Sequence, residues 1–349
     1  MKKIVFVCNH LYGGGAERVL CTLANSFSNC GYDIEILVFD GKKRYPLNNK
    51  IIVKDIGDSN SLFKQSKRIR HEIAKTTTDA VISFEYFVNL CTILACSNMK
   101  CKVIVSERND PSIVGSGVLK DRLRNFLYRF CDTLVCQTED AKKYFPYYIQ
   151  KNAVVILNPL KNGLPEPWRG KRKDEIVSFG RLNKQKNLSL LIEAFAEFYI
   201  NHPTFKLAIF GDGEEYDKLI RLVKEKHLDK AVEISHSRTD IHERIVNSKI
   251  YVSSSDYEGL SNSMLEAMAI GLPTICTDCP CGGARMVISN GINGVLIPVG
   301  DKNALVSALE KLSENYELAD NISTNASALR EKLSVDKITE QWANLLQEY

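Results

Sequence analysis

Twice along the chain, short apolar runs rich in valine and isoleucine alternate with segments whose apolar residues recur every three or four positions. The first series is IVFVC (4–8), IEILVF (34–39), AVISF (80–84), VIVS (103–106), TLVCQT (133–138) and AVVILN (153–158). Helical spacing between them is clearest from Ala16 to Phe27, where Val19, Leu20, Leu23, Ala24 and Phe27 share one face. A helix between consecutive strands makes the strands parallel and covers both faces of their sheet. The second series runs through IVSFGRL (176–182), KLAIFG (206–211), Val232–Ser235, KIYVSSS (249–255), PTICT (273–277) and GVLIPV (294–299), with helices at Leu188–Tyr199, Tyr216–Glu225 and near 261–269. Between the two series, NPLKNGLPEPWRGKRKDE (158–175) loses all periodicity to three prolines, two glycines and a basic cluster, which is linker composition. The expected architecture is therefore α/β, with two doubly wound parallel-sheet domains facing one another, residues 1–165 and 166–333. A terminal helix, 334–349, has Ile338, Trp342, Leu345 and Leu346 on one side and needs a docking surface. The 349 residues suit this division, because single cores stop growing near about 250–300 residues.

Hydrophobic and charged contents of 44% and 25% exclude disordered and collagen-like classes. No apolar run approaches the roughly 18 residues of a membrane span. The opening MKKIVFVCNHLYGGG reads as a buried first strand and not as a signal peptide. Eleven cysteines lie in strand-like runs (Cys8, Cys136, Cys276) and helix-like ones (Cys21, Cys91, Cys96) without paired C-x-x-C sets, which favours reduced, buried thiols in a cytoplasmic protein. The net charge of +4 divides into +9 over residues 1–165 and −5 over 166–349. Such a split points the first half toward something anionic: a membrane surface, a phosphorylated lipid or nucleic acid.

Three glycines, Gly13, Gly14 and Gly15, separate the first strand from its helix, where bare N–H groups and the helix dipole suit an anion. A tight strand-to-helix turn explains them equally well. Neither G-x-G-x-x-G nor the Walker pattern is present. After the linker, Gly180 and Arg181 are followed by Lys184, Lys186 and Asn187, which places fixed positive charge in the first βα loop of the second domain; a solvated turn is the alternative. Gly211-Asp212-Gly213-Glu214 forms a further permissive loop. The most informative stretch is SSSDYEGLSNSMLEAMAIGLP (253–273), with Glu258 in a loop and Glu266 eight residues on, inside a helix that ends at Gly271 and Pro273. A carboxylate on the inner face of that helix can accept both hydroxyls of a ribose. One in the loop can hold hydroxyls of a neighbouring sugar, while the N–H groups of Leu260 and Ser261 face a diphosphate. Alternatively, Glu258 caps the helix and Glu266 is a surface residue in a salt bridge.

GGGAERV, FGRLNKQKN, FGDGEE, and above all EGLSNSMLEAMAIGLP followed by GINGVLIPVGD, resemble the retaining, nucleotide-sugar-dependent glycosyltransferases of GT-B fold, a family that includes bacterial capsule, exopolysaccharide and lipopolysaccharide enzymes. The likeness runs over nearly the whole chain in the same order. It implies two Rossmann-like domains with a donor cleft between them, the acceptor mostly on the first and the nucleotide on the second, and a terminal helix crossing back to the first. By that resemblance Gly14 and Gly15 approach the donor phosphate, and Gly180, Leu260 and Ser261 line the donor site. Arg181 and Lys186 neutralise the diphosphate leaving group, Glu266 holds the ribose, and Glu258 lies by the donor sugar. The nucleotide-sugar is a substrate, and the cationic pair stands where other enzymes use a metal, so neither cofactor nor metal is expected. Two places depart from the family pattern. Where many relatives have S-E-H, this chain has Ser106-Glu107-Arg108-Asn109, so Glu107, Arg108 and Asn109 become candidates for an acceptor phosphate or for support of the donor sugar. Met286 stands where glutamate is common in the family.

Residues 119–130 place Leu119, Leu123, Phe126, Leu127 and Phe130 on one side, with Lys120, Arg122, Arg124 and Arg129 around the rest. This is a basic amphipathic helix suited to anionic lipid, or a core-packed helix with a solvated basic face. Lys64, Lys67, Arg68 and Arg70 add a second cluster. The leading expectation is a retaining glycosyltransferase that moves a sugar from a nucleotide diphosphate, a UDP-sugar, onto a glycan on a lipid carrier. Its setting is surface-polysaccharide synthesis, in the cytoplasm and peripheral at the inner face of the plasma membrane. Hydrolysis by paired carboxylates fits less well, because Glu258 and Glu266 sit beside a cationic loop. A polyanion-binding module leaves the sharpest motif, in the acidic half, unexplained, and no aromatic-rich basic motif marks a nucleic-acid partner. Sensing of a sugar nucleotide without turnover is the remaining alternative.

Overall fold

The computed structural model describes residues 2–42, 45–113 and 117–347. It divides into two compact units, Met1–Pro159 with Leu333–Tyr349, and Leu160–Lys332.

The first unit holds a seven-stranded parallel sheet made of β1 (Lys3–Cys8), β2 (Asp33–Val38), β3 (Ile52–Asp55), β4 (Ala80–Phe84), β5 (Lys102–Ser106), β6 (Thr133–Cys136) and β7 (Ala153–Val155). Its order is β3-β2-β1-β4-β5-β6-β7, so the chain winds one way from β1 and then the other way from β4. Phe6 at the centre pairs with Ile36 on one side and Ile82 on the other, and all three are fully buried. The edge strand β3 has no counterpart among the sequence expectations, because its IVKD is half exposed and carries no apolar run to announce it. The fifth and sixth runs stop short of their expected ends. Thr138 leaves the sheet to cap the helix Glu139–Tyr144, its Oγ1 accepting from the Ala141 N–H at 2.9 Å.

The second unit holds a six-stranded parallel sheet: β8 (Lys173–Phe179), β9 (Lys206–Phe210), β10 (Val232–Ser235), β11 (Ser248–Ser253), β12 (Thr274–Thr277) and β13 (Val295–Ile297), ordered β10-β9-β8-β11-β12-β13. Its core packs Ile176, Leu207 and Ile250 of the sheet with Leu191, Phe195 and Phe198 of the helix Leu188–Asn201. Beyond β13 the helices Lys302–Glu314 and Tyr316–Ser327 add Leu305, Leu309, Leu312 and Ile322. Asp301 and Asn315 start these helices by accepting the Ala304 and Leu318 N–H groups, each at 2.9 Å. The unit begins at Leu160 because Arg330 donates to the Leu164 and Pro165 carbonyls (3.1 and 2.6 Å) and ties the first residues of the linker to it.

The terminal helix, Val335–Asn344, returns to the first unit, where Trp342 is fully buried 5.7 Å from the Phe84 ring. Glu348 and Tyr349, the end of the expected terminal segment, lie outside the described residues.

The helix Val118–Leu127 and the turn Tyr128–Phe130 go against the core-packed reading of residues 119–130. Leu119, Leu123, Phe126 and Phe130 are 80%, 42%, 53% and 60% exposed, whereas Arg124 is fully buried and only Leu127 of the expected apolar face points inward. Arg124 is drawn in because its guanidinium donates to the Pro111 carbonyl and Asp121 (3.0 and 2.5 Å) and lies among the rings of Tyr86, Tyr144 and Phe145. Among the described residues, no helix is long and apolar enough to cross a membrane.

Candidate active site

In a doubly wound sheet, ligands bind beyond the carboxyl ends of the strands where the winding reverses. In the second unit that point lies between β8 and β11, and the loops carrying Arg181, Lys186 and Glu258 leave the sheet there. The two loops are stitched together. Asn187, in a left-handed conformation (φ 42°), donates to Asp256 at 2.7 Å, Gln185 donates to the Tyr257 carbonyl at 2.9 Å, and the Ser254 hydroxyl reaches the Lys186 carbonyl at 3.0 Å. The result is a direct ion pair between Lys186 and Glu258, both side chains 15% exposed, with Ser255 Oγ donating to the same carboxylate oxygen at 3.1 Å. Arg181 is exposed and, among the described residues, takes no hydrogen bond or ion pair. The cationic loop thus presents the Arg181 guanidinium to solvent and holds the Lys186 ammonium against a carboxylate.

Glycines bring neighbouring loops into backbone contact. A Cβ on Gly211 would stand 1.9 Å from the Gly180 carbonyl oxygen, one on Gly213 2.2 Å from that of Leu182, and one on Gly283 1.7 Å from that of Gly259. The loops after β8, β9, β11 and β12 therefore form one packed surface. Gly180 itself, at φ +145°, faces Lys186 and Ser263. Ser261 caps the helix Asn262–Ala269 and is buried, as is Leu260. Beside Glu258 a void of about 10 Å³ has room for one water.

Glu266 is not a surface residue. It is 6% exposed, and the Nε2 of His242, itself 4% exposed, lies 2.7 Å from its Oε2. The His242 ring meets Phe179 edge-on at 5.6 Å, Phe179 meets Tyr251 at 5.4 Å, and the Tyr251 hydroxyl donates to Ser263 at 3.1 Å. Glu266 is thereby linked through rings to the Gly180 loop. Nothing in the sequence singles out His242, which lies on the short helix Ile241–Ile245 and meets Glu266 only through the fold. Burial pushes the Cys279 thiol up to about 12 and raises that of Cys276 further. All eleven cysteines are free thiols.

Gly14 and Gly15 stand at the corresponding point of the first unit, between β1 and β4. A Cβ on Gly14 would lie 1.9 Å from Glu17 Oε2, so this glycine makes room for a buried carboxylate. Glu85, which the sequence did not announce, starts the helix Tyr86–Cys96 at φ 79° and accepts from the Asn9 amide at 2.8 Å. Of the three candidates beyond β5, Glu107 turns inward: it is 2% exposed, accepts the Tyr128 hydroxyl at 2.5 Å, and burial raises its pKa. Arg108 stacks over Phe84 at 4.5 Å and donates to Asn158 at 2.6 Å. Burial lowers its pKa to about 9, which leaves it charged at neutral pH. Asn109 remains half-buried at the surface, accepting the Asp110 N–H at 2.9 Å.

The family model of the glycosyl transferases group 1 matches residues 166–329, the span of all four loops. The amylovoran biosynthesis glycosyltransferase AmsD of Erwinia amylovora is 25% identical over 99% of both chains. A Campylobacter jejuni enzyme, an alpha-1,4-N-acetyl-D-galactosaminyltransferase acting on a GalNAc-GalNAc-diNAcBac chain on diphospho-undecaprenol, is 26% identical over 100% of this chain and 99% of its own. In fold, the chain matches the Anabaena protein HepE, solved in complex with UDP-glucose, at a TM-score of 0.84 and 19% identity over the whole of both chains. The two Rossmann-like units have the GT-B architecture that the motifs imply.

Proposed function

We propose, from the match of residues 166–329 to the glycosyl transferases group 1, that the protein is a glycosyltransferase that moves a sugar from a UDP-sugar, with retention of configuration, onto a glycan carried on a lipid. The observation that carries the reading is the packed surface of loops in the second unit, which joins exposed Arg181, the Lys186–Glu258 pair and buried Glu266. Arg181 grips the diphosphate and Lys186 shares its charge between Glu258 and the departing phosphate. Fixed cations aimed at the leaving group stabilise the charge that develops as the glycosidic bond breaks. The same pair makes a metal dispensable, so turnover persists in excess chelator. Glu266 accepts the ribose hydroxyls, Glu258 approaches the donor sugar, and Gly14 and Gly15 approach the donor phosphate. Arg108 meets an anionic group of the acceptor.

The donor assignment draws support from HepE, solved with UDP-glucose. The acceptor assignment draws support from the Campylobacter enzyme, whose substrate is linked to undecaprenol diphosphate, and from the part that AmsD plays in amylovoran synthesis. A place at the inner face of the plasma membrane accords with the outward face of the helix Val118–Leu127, where Leu119, Leu123 and Phe126 stand beside exposed Lys120 and Arg122.

The test is thermal unfolding of the protein with UDP-, GDP- and CMP-sugars, and of its Glu266→Ala variant. A rise with UDP-sugars alone that disappears in the variant is expected, because a ligand bound only by the folded state stabilises it. No rise with any donor near about 1 mM would overturn the reading.

A further inference from the structure

The carboxylate assigned to the ribose is not held by its own helix alone. His242 comes from a different element, the helix Ile241–Ile245 that precedes β11, and its Nε2 lies 2.7 Å from Glu266 Oε2 with both residues nearly sealed from solvent. Facing a carboxylate at that distance, Nε2 must carry the proton and donate it. The ring cannot turn freely, since Phe179 closes on it edge-to-face at 87°. Phe179 is the last residue of β8, immediately before Gly180 and Arg181, so one packed contact fixes both the imidazole and the start of the cationic loop.

We propose that His242 is a positioning residue for the nucleoside of the donor: its N–H holds Glu266 in one rotamer, so that the carboxylate meets the two ribose hydroxyls as an acceptor. The physical need is direct. A carboxylate free to rotate presents its lone pairs to the hydroxyls only part of the time, and a hydrogen bond from a second element removes that freedom. An arginine in this place would satisfy Glu266 with a permanent charge and a bidentate grip. A single imidazole N–H engages one oxygen and adds no fixed cation close to the diphosphate. The proposal rests on the assignment of Glu266 to the ribose, and the experiment separates the two.

Calorimetric titration compares UDP with 2′,3′-dideoxy-UDP on the full chain and on the variants Glu266→Ala, His242→Phe and His242→Gln. If Glu266 binds the ribose, Glu266→Ala weakens UDP about tenfold or more and leaves the dideoxy nucleotide unchanged, a loss on the scale of one hydrogen-bonding group. Equal affinities for UDP in wild type and Glu266→Ala would remove the ribose assignment and the proposal with it. Given that assignment, His242→Phe is expected to weaken UDP about tenfold with little effect on the dideoxy compound. His242→Gln, which keeps an N–H donor, should stay within about threefold of wild type for UDP. Unchanged UDP binding in His242→Phe, or equal losses for both nucleotides, would overturn the positioning role while leaving that of Glu266 in place. Should His242→Phe fail to fold, the glutamine variant decides alone, and a tenfold loss of UDP there would overturn the proposal.

Discussion

Lys186 is a cation already compensated by Glu258, and that pairing governs what its removal does. Replacing it with methionine leaves the stem but takes away the charge at the leaving group. Lys186→Met is expected to lower kcat roughly 10²–10³-fold with a smaller rise in the donor KM, because the interaction is strongest where charge develops. Steady-state kinetics would check this, and a kcat within about threefold of wild type would show that Lys186 does not face the leaving group. Gly283 poses a different single-residue question. Its missing Cβ leaves space for the Gly259 carbonyl oxygen, 1.7 Å away, and backbone cannot move aside as a flexible side chain can. Gly283→Ala should therefore cost about 1–3 kcal/mol of stability, visible as a lowered Tm, and should weaken donor binding by displacing the Glu258 loop. An unchanged Tm would mean that the two loops separate without strain. At this scale the sequence was legible in placing Glu258 in a loop and Glu266 inside the helix that follows it. It was silent where the decisive contact is tertiary. His242 carries no neighbouring signal, and nothing in FGDGEE or CGGARM says which glycine has a carbonyl against its α-carbon.

The elements were legible wherever burial is uniform. β1, β2, β4, β9, β11 and β12 announce themselves as apolar runs because both of their faces are covered. β3 escapes notice because an edge strand needs no such run. The helix Val118–Leu127 shows what periodicity omits. Spacing identifies two faces, but which of them turns inward is decided by partners elsewhere, here the Pro111 carbonyl and three rings that receive Arg124. The outward face, with Leu119, Leu123, Phe126 and Phe130 beside exposed Lys120, Arg122 and Arg129, combines apolar surface with positive charge, the pairing that binds anionic lipid at an interface. Vesicles containing phosphatidylglycerol should sediment the protein at low salt and release it at high salt, while phosphatidylcholine vesicles should not hold it. The triple variant Leu119→Ser, Leu123→Ser, Phe126→Ser should lose this binding and keep its Tm, since exposed positions contribute little to stability. Retention of vesicle binding by the variant would assign the surface elsewhere, with the exposed Lys64 and Lys67 next to be tested.

For the whole molecule, the consequence of two sheets is two cores, each built around its own switch point. The terminal helix belongs to the first of them although it follows the second in sequence. Trp342, fully buried against Phe84, is its anchor. Truncating a buried tryptophan costs about 3–5 kcal/mol, and for a unit of this size each kcal/mol lowers Tm by roughly 2–4 °C. Trp342→Ala should therefore lower one calorimetric transition by on the order of 10 °C and leave the other in place. Saturating UDP should act on the opposite transition. A ligand at 100 times its Kd stabilises the unit that binds it by about 2.7 kcal/mol, and, Gly14 and Gly15 apart, the groups assigned to the nucleoside diphosphate, Arg181, Lys186, Leu260, Ser261 and Glu266, lie in residues 160–332. The two perturbations thus name the transitions independently, one through a packing contact of the first unit and one through the ligand of the second. A single transition that moves with both would mean that the units unfold as one cooperative body. Two transitions with UDP acting on the one that Trp342→Ala lowers would place the nucleotide in the first unit and overturn the donor assignment.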